Sequence, residues 1–179
     1  MKYAVLIIDV QRGLFDNSPR PYLADDVITN INRINEKARA SNVPVLFIQH
    51  EQVSSILEYQ TEGWQLQSDL VVSEHDIVIR KTTPDSFHNT NLEETLQKLA
   101  VTNLLVCGYA SEFCVDTTIR RAAALGYSIE LIADSHTTHD KEHATALQIR
   151  DHHNATLPNI SSFEGTISTT NELNVNFNI

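Results

Sequence analysis

The chain has 179 residues, 41% hydrophobic and 20% charged, with 23 acidic against 13 basic side chains and a formal net charge of −10. Residues 1–179 read as a single domain, long enough to hide roughly 70% of its unfolded surface. The acidic surface repels phosphate backbones and anionic membrane faces, and no apolar run approaches the ~20 residues of a bilayer span, so neither nucleic acid nor a membrane is an expected partner.

In chain order, the apolar run Ala4 to Ile8 is short, ends at Asp9 and lacks a small-residue cleavage site behind it. It reads as a buried strand and not as a signal peptide. Asp25 to Ser41 spaces Val27, Ile28, Ile31, Ile34 and Ala38 at the helical period. Val43 to Ile48 is a second strand. Gln52 to Glu74, with Gly63 and Trp64, has no period and is expected to form a lid or a partner contact. Ile77 to Ile79 is a third strand. Asn91 to Ala100 carries Leu92, Leu96 and Leu99, with Asn91 as cap and Glu94 three residues on. Leu104 to Cys107 is a fourth strand. Phe113 to Leu125 is a helix holding Val115, Ile119, Ala122 and Ala123, closed by Gly126. Ile129 to Ala133 is a fifth strand, Lys141 to Ala155 a fourth helix, and a last short strand includes Ile167. The asparagine-rich tail from Asn171 to Ile179 is expected to fray or to dock on a neighbour. Strands buried on both faces and alternating with helices predict an α/β fold. The expected architecture is a three-layer αβα sandwich around a mostly parallel, Rossmann-like sheet of about six strands.

Ligands of such sheets bind beyond the carboxyl ends of the strands. Asp9 follows the first strand, Lys81 the third, and the loop from Gly108 to Cys114 the fourth. Singly, each has a plain structural role: a turn aspartate, a solvated lysine, and at Cys107 a core thiol. Cys114 differs, because the start of a helix favours a thiolate. Two thiols in one segment build neither a disulfide framework nor a zinc knuckle, and a reducing cytoplasm is the expected compartment.

Ile7-Ile8-Asp9-Val10-Gln11, Lys81 followed by Pro84-Asp85-Ser86-Phe87, and Gly108-Tyr109-Ala110-Ser111-Glu112-Phe113-Cys114-Val115 resemble the motifs of the isochorismatase-like cysteine hydrolases. Asp134-Ser135-His136 resembles the family's segment after the fifth strand, and the likeness runs from Lys2 to about Ile167. It implies Asp9 as general base, Lys81 as the cation and Cys114 as the nucleophile. It also implies a cis Tyr109–Ala110 peptide and an oxyanion hole of the Ala110 and Cys114 N–H groups. Lys81 and the helix start are expected to favour the thiolate. The implied reaction is hydrolysis of a C–N amide-type bond through a thioester, without cofactor, in a homo-oligomer.

The family's nicotinamidases carry a metal site of aspartate and histidines after strand two. Here that stretch reads Gln49-His50-Glu51-Gln52 with no second histidine until His75, so no metal is expected. His139 and His143 stand at i, i+4 and are expected to be a solvated pair on one helix face. Gln11, Phe15, His50, Phe87, Tyr109 and Phe113 are the expected walls of a pocket for a small molecule.

Rival classes call for other residues. A signalling receiver needs paired acids, and Asp9 is followed by Val10. The five glycines form neither G-x-G-x-x-G nor a P-loop. Vinyl-ether hydrolysis of the isochorismatase type, and a non-catalytic binding or oligomerisation module on the same fold, remain alternatives.

Overall fold

The computed structural model describes residues 2–177. Its strands are β1 (Tyr3–Ile8), β2 (Val45–His50), β3 (Ile77–Lys81), β4 (Asn103–Tyr109), β5 (Ser128–Thr137) and β6 (Ile167–Thr170). Its α-helices are α1 (Arg12–Phe15), α2 (Ala24–Ala40), α3 (Leu92–Lys98), α4 (Asp116–Ala124) and α5 (Ala146–Thr156). The strands form one sheet in the order β3-β2-β1-β4-β5-β6, and every neighbouring pair is parallel.

The period of two along β1 divides the core. Val5 and Ile7 pack with Val27, Ile31 and Ile34 of α2 on one face. Ala4, Leu6 and Ile8 pack on the other with Leu92 and Leu96 of α3 and Ile119, Ala122 and Ala123 of α4. All of these side chains are buried, each contributing at most about 1.5–3 kcal/mol. The chain leaves β1 towards β2 and β3 on one side, then returns to β4 on the other. This topological switch opens a crevice above the carboxyl ends of β1 and β4. Gly108 makes the approach possible: at φ 117°, a Cβ there would lie 2.1 Å from the Ile8 carbonyl oxygen. Among the described residues no helix is long and apolar enough to cross a membrane.

The sheet of about six strands is as expected, and it is parallel throughout. Several finer expectations are corrected. The helix expected from Phe113 is a π turn, Ser111–Val115, followed by α4. Gly126 does close α4, at φ 89°. The helix expected from Lys141 starts at Ala146, because Thr145 and Gln148 form a capping box there and Asp140 accepts the Ala146 N–H at 2.7 Å. His139 and His143 therefore share no helix face. Asn91 caps nothing with its side chain; the Leu92 N–H is donated instead to Thr90 Oγ1 at 3.2 Å. β5 runs to Thr137, so Asp134, Ser135 and His136 lie within the strand rather than after it. As far as Phe177 the tail packs on its own chain. Glu172 is buried against Lys37, and Val175 and Phe177 join the core on the α2 side. Asn178 and Ile179 lie outside the described residues.

Candidate active site

β1 ends in a kink. Asp9 takes the left-handed region at φ 52°, which aspartate tolerates better than most residues, and its side chain is 2% exposed. β3 ends in Lys81, equally buried. The three protons of its ammonium have three acceptors: Asp9 Oδ2 at 2.7 Å, His50 Nδ1 at 3.2 Å and the Thr83 carbonyl at 3.2 Å. His50, at the end of β2, thus presents a bare Nδ1 and carries its proton on Nε2. Burial and then the Lys81 charge hold this imidazole below the ordinary histidine range.

The other Asp9 oxygen, Oδ1, is buried and has no hydrogen-bond partner among the described residues. Towards this carboxylate the π turn brings Cys114. Its Sγ, an Asp9 oxygen and a His50 nitrogen lie within 4.8 Å of one another. The Tyr109–Ala110 peptide ahead of the turn is cis. Cys114 is half-buried, whereas Cys107 is buried with its thiol 3.6 Å from the Leu6 carbonyl.

The electrostatics of the thiol differ from expectation. Burial first, then the Asp9 charge, push Cys114 up to about 12, while Lys81 pulls it down by less. Lys81 acts in the expected direction, towards the thiolate, but desolvation and the Asp9 charge outweigh it. Burial likewise pushes Tyr109 up to about 12. Its hydroxyl lies 2.9 Å from His139 Nδ1, and its ring meets Phe15 edge-on.

Not every expected pocket wall stands at the site. The side chain of Gln11 is fully used by the backbone: its Nε2 donates to the carbonyls of His50 and Trp64, and its Oε1 accepts the His50 N–H. Gln49 donates to the same Trp64 carbonyl. These amides tie the 52–74 segment over the strand ends, with an antiparallel bridge from Gln11 to Leu66. Gln11 is thus a tether, with both polar atoms of its amide already bonded. Phe87 is a core residue beside Tyr127, and Phe15 is wholly buried. Phe113 turns outward, 53% exposed, with the Lys141 ammonium 5.5 Å from its ring centre. Only His50 and Tyr109 of that set stand at the strand ends with polar groups to offer. A cavity of about 620 Å³, lined by Tyr3, Arg39, Val45, Asp76 and Phe177 among others, lies at the opposite end of the strands and shares no residue with the site.

Asp9, His50 and Cys114 offer a carboxylate, an imidazole and a thiol, a set that could in principle hold a metal. The Lys81 ammonium already occupies one Asp9 oxygen and His50 Nδ1, and a divalent cation would sit against that buried charge. The donor set fits an internal cation better than a metal. His75, the other histidine near β3, is exposed beside Glu74.

Reading strand ends found Asp9, Lys81 and Cys114. It missed the Thr83 carbonyl, the Gln49–Trp64 tether and the link that joins Ser111, His136 and Asn154. Backbone carbonyls and partners far apart in the chain leave no local pattern; Ser111 and His136 stood out only as members of two separate motif segments, Gly108 to Val115 and Asp134 to His136.

Comparison with known proteins places the chain in a family. A family model described as Isochorismatase domain matches residues 3–170. The isochorismatase family protein YddQ of Bacillus subtilis (strain 168) is 32% identical over 155 residues, covering 84% of this chain and 83% of its own. Streptothricin hydrolase of Streptomyces noursei is 32% identical over 138 residues, 76% of this chain but 50% of that protein, so the chain spans half of that relative's length. The crystal structure of an isochorismatase family protein superimposes with a TM-score of 0.87 at 34% identity, covering 94% of this chain and 97% of that one.

Proposed function

Because this chain belongs to the isochorismatase family and is a hydrolase of it, we propose that it cleaves a C–N amide-type bond of a small molecule through a thioester on Cys114. The observation that carries this reading is the buried Lys81 ammonium, held between Asp9 and His50, with the Cys114 sulfur within 4.8 Å of both.

The chemistry follows from that placement. The thiol is protonated at rest, so the proton must leave as the sulfur attacks the carbonyl carbon. The free Asp9 oxygen accepts it. The carbonyl oxygen becomes an oxyanion, held by the N–H groups of Ala110 and Cys114, each such donor being worth ~10²–10³ in rate. The C–N bond breaks as Asp9 returns the proton to the departing nitrogen, leaving the thioester. Water, deprotonated by Asp9, attacks the thioester; the acid leaves and the sulfur regains its proton. Lys81 stabilises whichever neighbour holds the negative charge at each stage. His50 and Tyr109 are the polar groups placed to orient the substrate.

The raised Cys114 thiol favours a second reading, vinyl-ether hydrolysis. That reaction needs a proton delivered to carbon and water added, which Asp9 can serve without a nucleophilic thiol. One mutant pair separates the two. In a screen of amides and isochorismate, Cys114→Ala and Asp9→Asn should each lower amide turnover by about 10³-fold or more. If Cys114→Ala works nearly as fast as wild type on the true substrate while Asp9→Asn is dead, the thiol is a bystander and the second reading stands.

A further inference from the structure

The turn that delivers Cys114 is wound as a single π turn. The Ala110 carbonyl accepts the N–H of Phe113 at 3.0 Å and of Val115 at 3.1 Å. A π turn carries one residue more than an α turn needs and is less favourable by itself, so something outside it must hold it. The first residue of the turn, Ser111, is fully buried, and its hydroxyl lies 2.8 Å from Nδ1 of His136 on β5. On the far side of that ring, Nε2 lies 2.9 Å from Oδ1 of Asn154 on α5. Asn154 Nδ2 in turn donates to the Ala133 carbonyl at 3.0 Å.

This chain of bonds has one possible direction. The Ala133 carbonyl can only accept, so the Asn154 nitrogen faces it and Oδ1 faces the ring. Nε2 must then carry the proton, Nδ1 is bare, and the Ser111 hydroxyl donates. Neither Ser111 nor His136 has any exposed surface, so no substrate reaches them, and the proposed chemistry uses none of the three. We infer that His136 is a positioning residue which, with its tautomer fixed by Asn154, grips Ser111 and holds the π turn where Cys114 meets Asp9 and Lys81. The inference rests on the reading of Cys114 as the site's nucleophile.

An amide, not a carboxylate, stands behind the ring, and the pull of its oxygen towards an imidazolium is outweighed by burial. Burial first, with Arg150 and His153 nearby adding to it, holds His136 down at about 4. The grip therefore stays intact at neutral pH, where a protonated Nδ1 would turn from acceptor to donor and release Ser111.

The test reads the thiol itself and needs no substrate. Intact protein is treated with iodoacetamide across a pH series, labelling at Cys114 is followed by mass spectrometry with buried Cys107 as internal control, and melting temperature is recorded in parallel. The groups facing the Cys114 thiol are Asp9, Lys81, His50 and Tyr109. In wild type, burial and Asp9 keep its apparent pKa well above that of an ordinary cysteine. In Ser111→Ala and His136→Leu the turn relaxes, and the apparent pKa falls by about one unit or more towards the ordinary ~8.5. His136→Gln, whose amide can accept from Ser111 and donate to Asn154, keeps the wild-type profile. Ser111→Ala removes one hydroxyl only and serves if His136→Leu does not fold. Profiles of Ser111→Ala and His136→Leu that superimpose on wild type, whatever their melting temperatures, overturn the proposal. So does a His136→Gln profile displaced as far as that of His136→Leu. Because no turnover is measured, a failure of the amide reading shows in the substrate screen and not here.

Discussion

Burying an imidazole without a carboxylate, as β5 does at His136, penalises only its charged form, so the folded ring takes a proton near pH 4 where a free histidine takes one near 6.5. As pH falls below 6.5 the unfolded chain is protonated first. His136 therefore contributes its full stability above pH 6.5, and that contribution is lost as pH falls towards 4, by about 3 kcal/mol in all. Urea unfolding at pH 7 and pH 4.5 should show this loss, and His136→Gln should remove that part of the slope. At this scale Asp9, Lys81 and Cys114 were legible because strand ends are a place where chemistry gathers. The state of the thiol was not. Its pKa depends on how much water the fold removes and on which charge comes nearer, and the sequence places neither.

At the scale of the element, α5 is set by local chemistry. The Thr145 hydroxyl accepts the Gln148 N–H at 3.2 Å and the Gln148 side chain accepts the Thr145 N–H at 2.9 Å, so both orphan donors at the start of the helix are satisfied. Thr145→Ala should cost about 1 kcal/mol, read as a shift in the urea midpoint with an unchanged slope. The T-x-x-Q pattern was present in the sequence, yet the helix was expected to begin at Lys141, because four polar residues ahead of a helix carry no period to show where it starts. The π turn before α4 was hidden for a different reason. A single widened turn shifts the apolar period of the following helix by one residue only, and Val115, Ile119, Ala122 and Ala123 fit an α-helix with or without it.

For the whole molecule, the tail closes the layer over α2. Glu172 meets Lys37 at 2.7 Å and its N–H is donated to Asp134 at 2.9 Å, which fixes the chain where it turns back over the sheet. Beyond it, Phe177 packs edge-on to Tyr3 within the α2-side core. Phe177→Ala should cost about 3 kcal/mol in global stability, measured by denaturant unfolding, while leaving the chemistry at the opposite strand ends unchanged. The sequence by itself determined the class of the fold and the order of its elements, since apolar periods of 2.0 and 3.6 are properties of neighbours along the chain. It also determined the residue types that stand at the strand ends. Only the tertiary structure decided that Gln11 is a tether, that Phe87 and Phe15 are core, and that the Asp9–Lys81 pair is dry. It alone showed that Ser111, His136 and Asn154 form one directed chain of hydrogen bonds. Each of those facts joins residues tens of positions apart. Burial and hydrogen-bond direction arise only when the layers close over them.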